Sequence, residues 1–228
     1  LSKLSKSLRN KVKEITLDMA GSMKQIAKRC FVNATQVIYR FHVQKLASEA
    51  LQNIRIKHRW IEMDNENNAI THAKGTNKTY SPDILSNGDT KKQLLARSRH
   101  LLYKSPNNWT IDQQDRAKLL FELYPEIEQA YGLTNKLRAI YNKLIPKEIA
   151  MTKLAYWFNQ VENTNLKQFN TVTKTFMLHY ADILNYFNDR STNASAESFN
   201  AKIKYFRMMY RGVREKSFFL FRLSKLFA

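Results

Sequence analysis

The sequence predicts a helix-dominated α/β fold. Two short β-branched runs flank a helical stretch near the start, which is a strand–helix–strand signature. Almost everything after residue 91 repeats its apolar residues at helical spacing. Five Gly and four Pro in 228 residues exclude collagen-like, low-complexity and turn-dense all-β classes.

The elements follow in order. Residues 1–11 are polar and basic and show no stable pattern. Val12 to Leu17 reads as a strand ending at Asp18. Met19-Ala20-Gly21 marks a turn, and Ser22 opens a short helix to Cys30. Thr35 to Tyr39 is a second strand. The two strands are expected to lie parallel, joined by a right-handed crossover. Sites in such sheets form at the carboxyl ends of strands, which here carry Asp18 and the run Arg40 to His42. A long helix is predicted from Val43 to Met63. Residues 64–91, with Asn65, Asn67, Asn68, Gly75, Pro82, Asn87 and Gly88, read as a loop.

Helices are then predicted over Lys92–Lys104, from a Thr110–Gln113 capping box to Tyr124, and from Pro125 to Asn142 with an interruption near Gly132. Another starts with Pro146 in its first turn and runs to Glu162. Leu166–Asn188 reads as one helix. Asp189 to Asn193 forms a turn and cap before a helix from Ala194 to Arg211, which Gly212 ends or bends. On this last helix Phe199, Ile203, Phe206 and Tyr210 make an apolar stripe. Asn193, Glu197, Asn200, Lys204, Arg207 and Arg211 make a second, polar stripe at the same spacing.

Charge narrows the function. Lys plus Arg is 38 and Asp plus Glu is 19, a net charge of +19, which points to a polyanionic partner, nucleic acid first. The single cysteine, Cys30, excludes a disulfide framework and a multi-Cys zinc site, and reads as buried filler. No apolar run approaches the roughly 20 residues of a membrane-spanning helix. The chain starts at Leu1 rather than Met, so an upstream segment is expected.

Asp18 and Glu197 stand 179 positions apart, each in a basic stretch. If the fold joins them, they suit a hard divalent ion beside phosphate. The bland alternatives are a cap on the next helix for Asp18 and helix-dipole complementation for Glu197, and spacing alone favours these. His58, His72, His100 and His179 have no partner at ligand spacing. Trp60, Trp109 and Trp157 read as packing residues, although one could stack on a base. Arg97 and Arg99 are weaker DNA candidates than the basic groups after Glu197.

Three stretches carry a resemblance. Thr16-Leu17-Asp18-Met19-Ala20, Arg40-Phe41-His42-Val43, and Ser191-Thr192-Asn193-Ala194-Ser195-Ala196-Glu197-Ser198-Phe199-Asn200-Ala201-Lys202-Ile203-Lys204 resemble insertion-sequence transposases of the ISL-three DDE family. Leu94 to Leu102 and Arg207 to Phe218 continue it, so it covers nearly the whole chain from Lys11.

The resemblance implies DNA nicking and strand transfer on a partial RNase H-like core with a large all-helical insertion. The core's second part would occupy 1–63, the insertion 64–188, and carboxyl-terminal core helices 189–228. It implies Asp18 and Glu197 as second and third catalytic and metal-ligating carboxylates, with Mg²⁺ or Mn²⁺ as cofactor. The first catalytic aspartate would lie upstream of Leu1. His42 and Asn200 would support the site, and Arg40, Lys204, Arg207, Arg211 and Arg214 would bind DNA, both transposon ends and target. It further implies a bacterial cytoplasmic, nucleoid-associated protein, self-associating in the complete enzyme, with no membrane partner.

One departure stands out. Tyr39 occupies the position, three before the histidine, where the family often has Asp or Cys. With the first carboxylate absent, the chain is expected to be inactive in cleavage. The competing readings are a non-enzymatic basic helical nucleic-acid-binding protein and, third, a basic amphipathic protein on membrane surfaces using Phe218–Phe221.

Overall fold

A computed structural model describes residues 4–190, 194–212 and 214–227. The chain divides into two compact units, Leu1–Asp189 and Arg190–Ala228.

The first unit opens with a one-turn helix, α1 (Lys6–Asn10), where the sequence suggested no pattern; the Ser5 hydroxyl accepts from the Leu8 N–H and starts it. Strand β1 (Glu14–Leu17), helix α2 (Gly21–Cys30) and strand β2 (Thr35–Ile38) follow. The strands pair in parallel, with Glu14 opposite Thr35 and Leu17 opposite Ile38. Leu17, Val37 and Ile38 are buried at their carboxyl ends, so the register is fixed by the core.

Helix α3 runs from Arg40 to Gly75, 36 residues, far past the predicted end at Met63. Its buried face (Val43, Ala47, Ala50, Leu51, Ile54) nucleates it. Extension through the Asn-rich part then adds one hydrogen bond per residue, which local turn preference does not overcome. Outside contacts hold that part: Tyr124 donates to Glu62 at 3.0 Å, and Lys92 pairs with Glu66. The loop is therefore confined to residues 76–90.

The remaining helices of this unit are α4 (Lys91–Arg97), α5 (Ile111–Leu123), α6 (Pro125–Asn142), α7 (Lys147–Glu162), α8 (Lys167–Leu178) and α9 (Tyr180–Asp189). Helix α4 ends earlier than predicted. Ser98 takes up the Leu94 carbonyl at 2.6 Å, buried Arg55 takes that of Leu95 at 2.8 Å, and a one-turn 3₁₀ helix, Leu101–Tyr103, follows. The capping box of α5 forms as predicted, and Thr90 with Gln93 builds a second on α4. Helix α6 passes Gly132 without interruption. Its buried Ile127, Ala130, Leu133, Leu137 and Ile140 outweigh the roughly 1 kcal/mol that a glycine costs a helix. Pro146 sits at the N-cap of α7, one position before the first turn.

The predicted single helix over 166–188 breaks at His179, whose backbone leaves the helical region. The break has a packing cause. Helix α8 lies on α3, whereas α9 lies on β2. Asn185 donates to the Gln36 carbonyl at 2.9 Å, and Asp182 pairs with Lys24 at 2.7 Å. One apolar cluster runs from Leu17 to Phe187 and unites the strands with α2–α9.

The second unit holds α10 (Ala194–Met209) and α11 (Lys216–Phe227). Gly212, at φ +100°, lies in the turn between them, where the sequence placed an end or bend. The predicted cap at 191–193 lies outside the described residues.

Candidate catalytic strand end and nucleic-acid interface

The strand pairing brings the first group of predicted residues together. Asp18 directly follows β1 and Tyr39 directly follows β2, and the Tyr39 N–H reaches the Leu17 carbonyl at 3.4 Å. Helix α3 begins at the next residue, so Arg40 and His42 occupy its first turn at this same strand end. The Asp18 side chain is exposed, and its Oδ1 accepts the Ala20 N–H at 2.9 Å. That bond orders the turn before α2. It leaves α2 itself without a side-chain cap, so the helix-cap alternative for Asp18 does not describe what the carboxylate does.

His42 is half-buried among rings, edge-on to Phe41 at 5.7 Å and to Tyr39 at 6.3 Å. Tyr39 therefore does with aromatic packing what a carboxylate could not. Arg40 donates to Asn142 at the end of α6 at 3.2 Å, which fixes the guanidinium beside the strand end. As one ligand of a hard divalent ion Asp18 fits: it is an exposed carboxylate held by one hydrogen bond. Among the described residues no group of three or more His, Cys, Asp or Glu gathers to hold a metal.

The second group lies on the other unit. Glu197 and Asn200 are on α10, with the side chain of Glu197 outside the described residues; Asn200 is exposed. Lys204, Arg207, Arg211 and Arg214 line an open cleft of about 920 Å³ between α10 and α11, joined by Lys216. Two of the lining rings pack on buried Phe206, Tyr210 at 4.5 Å and Phe219 at 5.4 Å. Arg222 donates to the Tyr210 hydroxyl at 2.7 Å and lies 5.6 Å from that ring's centre. The cleft thus combines five cations with an aromatic wall and one acid, Glu215.

A family model described as transposase, of the DDE ISL-three type, matches residues 1–223. The chain belongs to this transposase family. No curated protein matches the chain, and no solved structure matches it.

Several residues of this transposase depart from their sequence reading. Trp60 is 57% exposed on α3 rather than packed. Trp109 stacks on Tyr131 at 5.3 Å and Trp157 is buried with its indole N–H on the Leu133 carbonyl at 2.9 Å, both as packing residues. Cys30 is half-buried rather than fully so. His58 pairs with Glu126 at 3.0 Å, a link between α3 and α6. Arg97 is committed elsewhere: it pairs with Asp89, a fully buried carboxylate that also meets Arg116 at 3.4 Å. The sequence reading passed over Asp89 because it sits in a polar loop. Its one signal is the Asn87-Gly88-Asp89-Thr90 turn, which precedes a cap. It also passed over Arg55, buried with its Nε on Gln52 at 2.7 Å. Burial, then the Arg99 and Arg59 charges, hold that guanidinium below the usual arginine range.

No helix among the described residues is long and apolar enough to cross a membrane.

Proposed function

We propose that this transposase acts on DNA through two carboxylates and a basic cleft. Asp18 and Glu197 are the catalytic, metal-ligating pair, and residues 1–63 and 189–228 are parts of an RNase H-like core. Residues 64–188 are the helical insertion, with α3 shared across the boundary. Mg²⁺ or Mn²⁺, when bound by these carboxylates, would supply charge to an attacking and a leaving phosphodiester oxygen in cleavage and strand transfer.

The protein's own groups have separable tasks. Asp18 holds its charge at the strand end, oriented by the Ala20 N–H. His42 and Asn200 orient a ligand or touch phosphate. Arg40 neutralises phosphate near the strand end. Lys204, Arg207, Arg211 and Arg214 neutralise the backbone of transposon ends and target, without reading sequence. No other acid of this chain is proposed to complete a triad, so the chain alone is expected to bind DNA without cutting it.

The observation that supports this reading best is the α10–α11 cleft, where five cations converge around aromatic rings. The test is duplex binding against salt. Each phosphate neutralised contributes about −0.9 to the slope of log affinity on log salt. Arg207→Ala with Arg211→Ala should flatten that slope by about 2. An unchanged slope removes the cleft from the interface. For the carboxylates, Mn²⁺ titration should show weak binding that Asp18→Asn abolishes. Robust metal-dependent nicking by this chain, lost in Glu197→Gln, would refute its inactivity.

A further inference from the structure

A cluster of arginines lies where the middle of α3 meets the carboxyl end of α4. Arg55 and Arg59 are one turn apart on α3, so they share a face. Arg99 follows α4 by two residues. Gln52 ties the group together. It is buried, its Oε1 accepts from Arg55 Nε at 2.7 Å, and its Nε2 donates to the Arg99 carbonyl at 3.1 Å. Arg55 is itself buried and also donates to the Leu95 carbonyl at 2.8 Å. Arg99 and Tyr103, both within electrostatic reach of Arg55, are exposed. The positive charge is not balanced locally. Among the described residues no carboxylate forms an ion pair with Arg55, Arg59 or Arg99. Asp89, at the opposite end of α4, is taken by Arg97 and Arg116. Glu62, three residues past Arg59, accepts from Tyr124. Arg59 Nε is buried with no hydrogen-bond partner among the described residues.

We infer that this cluster is a phosphate-binding site, with Arg59 Nε and the Arg99 guanidinium as its donors and the buried Arg55 charge behind them. The phosphate comes from the DNA backbone or from free phosphate, and only the first source rests on the proposal that the chain acts on DNA. A guanidinium keeps its proton at neutral pH, so like charges packed this closely do not relieve themselves by titration. Burial, then the charges of Arg99 and Arg59, weigh against a charged Arg55, and negative charge brought beside it acts in the opposite sense. A buried N–H without a partner adds a cost of its own. One phosphate offsets both, because it brings negative charge and several acceptor oxygens, which guanidinium forks engage in pairs. Packing alone gives no reason for three arginines here, since apolar residues of similar volume fill such a space at lower cost.

The test melts the full chain in sodium phosphate and in sodium chloride at matched pH and ionic strength. Phosphate should raise the wild-type Tm above its value in chloride. Phosphate also stabilises proteins generally by exclusion from their surface, equally in wild type and variant, so the difference between the two is the readout. Arg59→Gln with Arg99→Gln should shrink the increment to that general effect. Arg99→Gln alone, at an exposed position past the helix, should shrink it too and carries the comparison if the double variant does not fold. An increment equal to wild type in the variants overturns the inference, as does a wild type that melts no higher in phosphate than in chloride. A second arm separates the sources. If the phosphate belongs to DNA, the double variant also flattens the duplex salt slope by about 1.8. An unchanged slope beside a lost increment assigns the site to free phosphate. Arg207→Ala with Arg211→Ala tests the α10–α11 cleft and should leave intact the part of the increment that depends on Arg59 and Arg99, so the two proposals fail separately.

Discussion

At the scale of single residues, the sharpest contrast is between two carboxylates. Asp18 is exposed and its Oδ1 accepts the Ala20 N–H, as in a ligand-binding acid. Asp89 is fully buried, accepts from Arg97 and Arg116, and meets the Asn87 amide at 3.1 Å. Removing one partner of a buried ion pair leaves an uncompensated charge. Asp89→Ala should therefore cost about 3 kcal/mol of stability, at the low end for a buried pair because Arg97 is 57% exposed. Urea unfolding measures it, and a loss under about 1 kcal/mol would mean that solvent already screens the group. Asp18→Ala should leave the urea midpoint almost unchanged. Sequence alone ranks the two the other way in visibility. Asp18 stands at a strand end inside a family motif, whereas Asp89 is one acid in a polar loop. Burial is a property of what packs around a residue, and nothing local announces Arg116 arriving from α5.

At the scale of elements, the strand pair, the capping box of α5 and the helical rhythm of α5–α7 were legible. Each depends on residues close in sequence. The errors lay where distant packing overrides local preference. Helix α3 continues through Asn65, Asn67 and Asn68 because α5–α6 and α4 supply partners for Glu62 and Glu66. The 166–188 stretch breaks because its halves answer to different neighbours. The glycines separate the two regimes. Gly132 lies mid-helix with nothing within 4 Å of an added Cβ, so Gly132→Ala should stabilise the first unit by about 0.5–1 kcal/mol. A rise in melting temperature is the expected result, and a fall would show that α6 needs the missing side chain. Gly212 also has room, but its φ of +100° suits glycine alone. Gly212→Ala should strain the α10–α11 turn by about 1–3 kcal/mol and weaken duplex binding with it. Duplex affinity equal to wild type would detach the cleft's geometry from its function.

At the scale of the whole molecule, the apolar cluster from Leu17 to Phe187 lies entirely within the first unit. A fragment of residues 4–189 should fold without the second unit and unfold in one cooperative step by circular dichroism and by fluorescence. Two separated transitions would mean that the strands and the helical layer are independent bodies. The catalytic proposal joins Asp18 on the first unit to Glu197 on the second, and its candidate site was legible only as far as motif residues go. The strand-end cluster followed from register and the basic cleft from stripe spacing. The 36 residues of α3 have a mechanical consequence. At 1.5 Å per residue they make a beam about 54 Å long, anchored at one end beside Asp18 and carrying much of the helical layer along its length. A push on that layer would travel as rigid-body motion to the beam's root, giving the helices packed along α3 leverage over the strand end where the chemistry is proposed to turn.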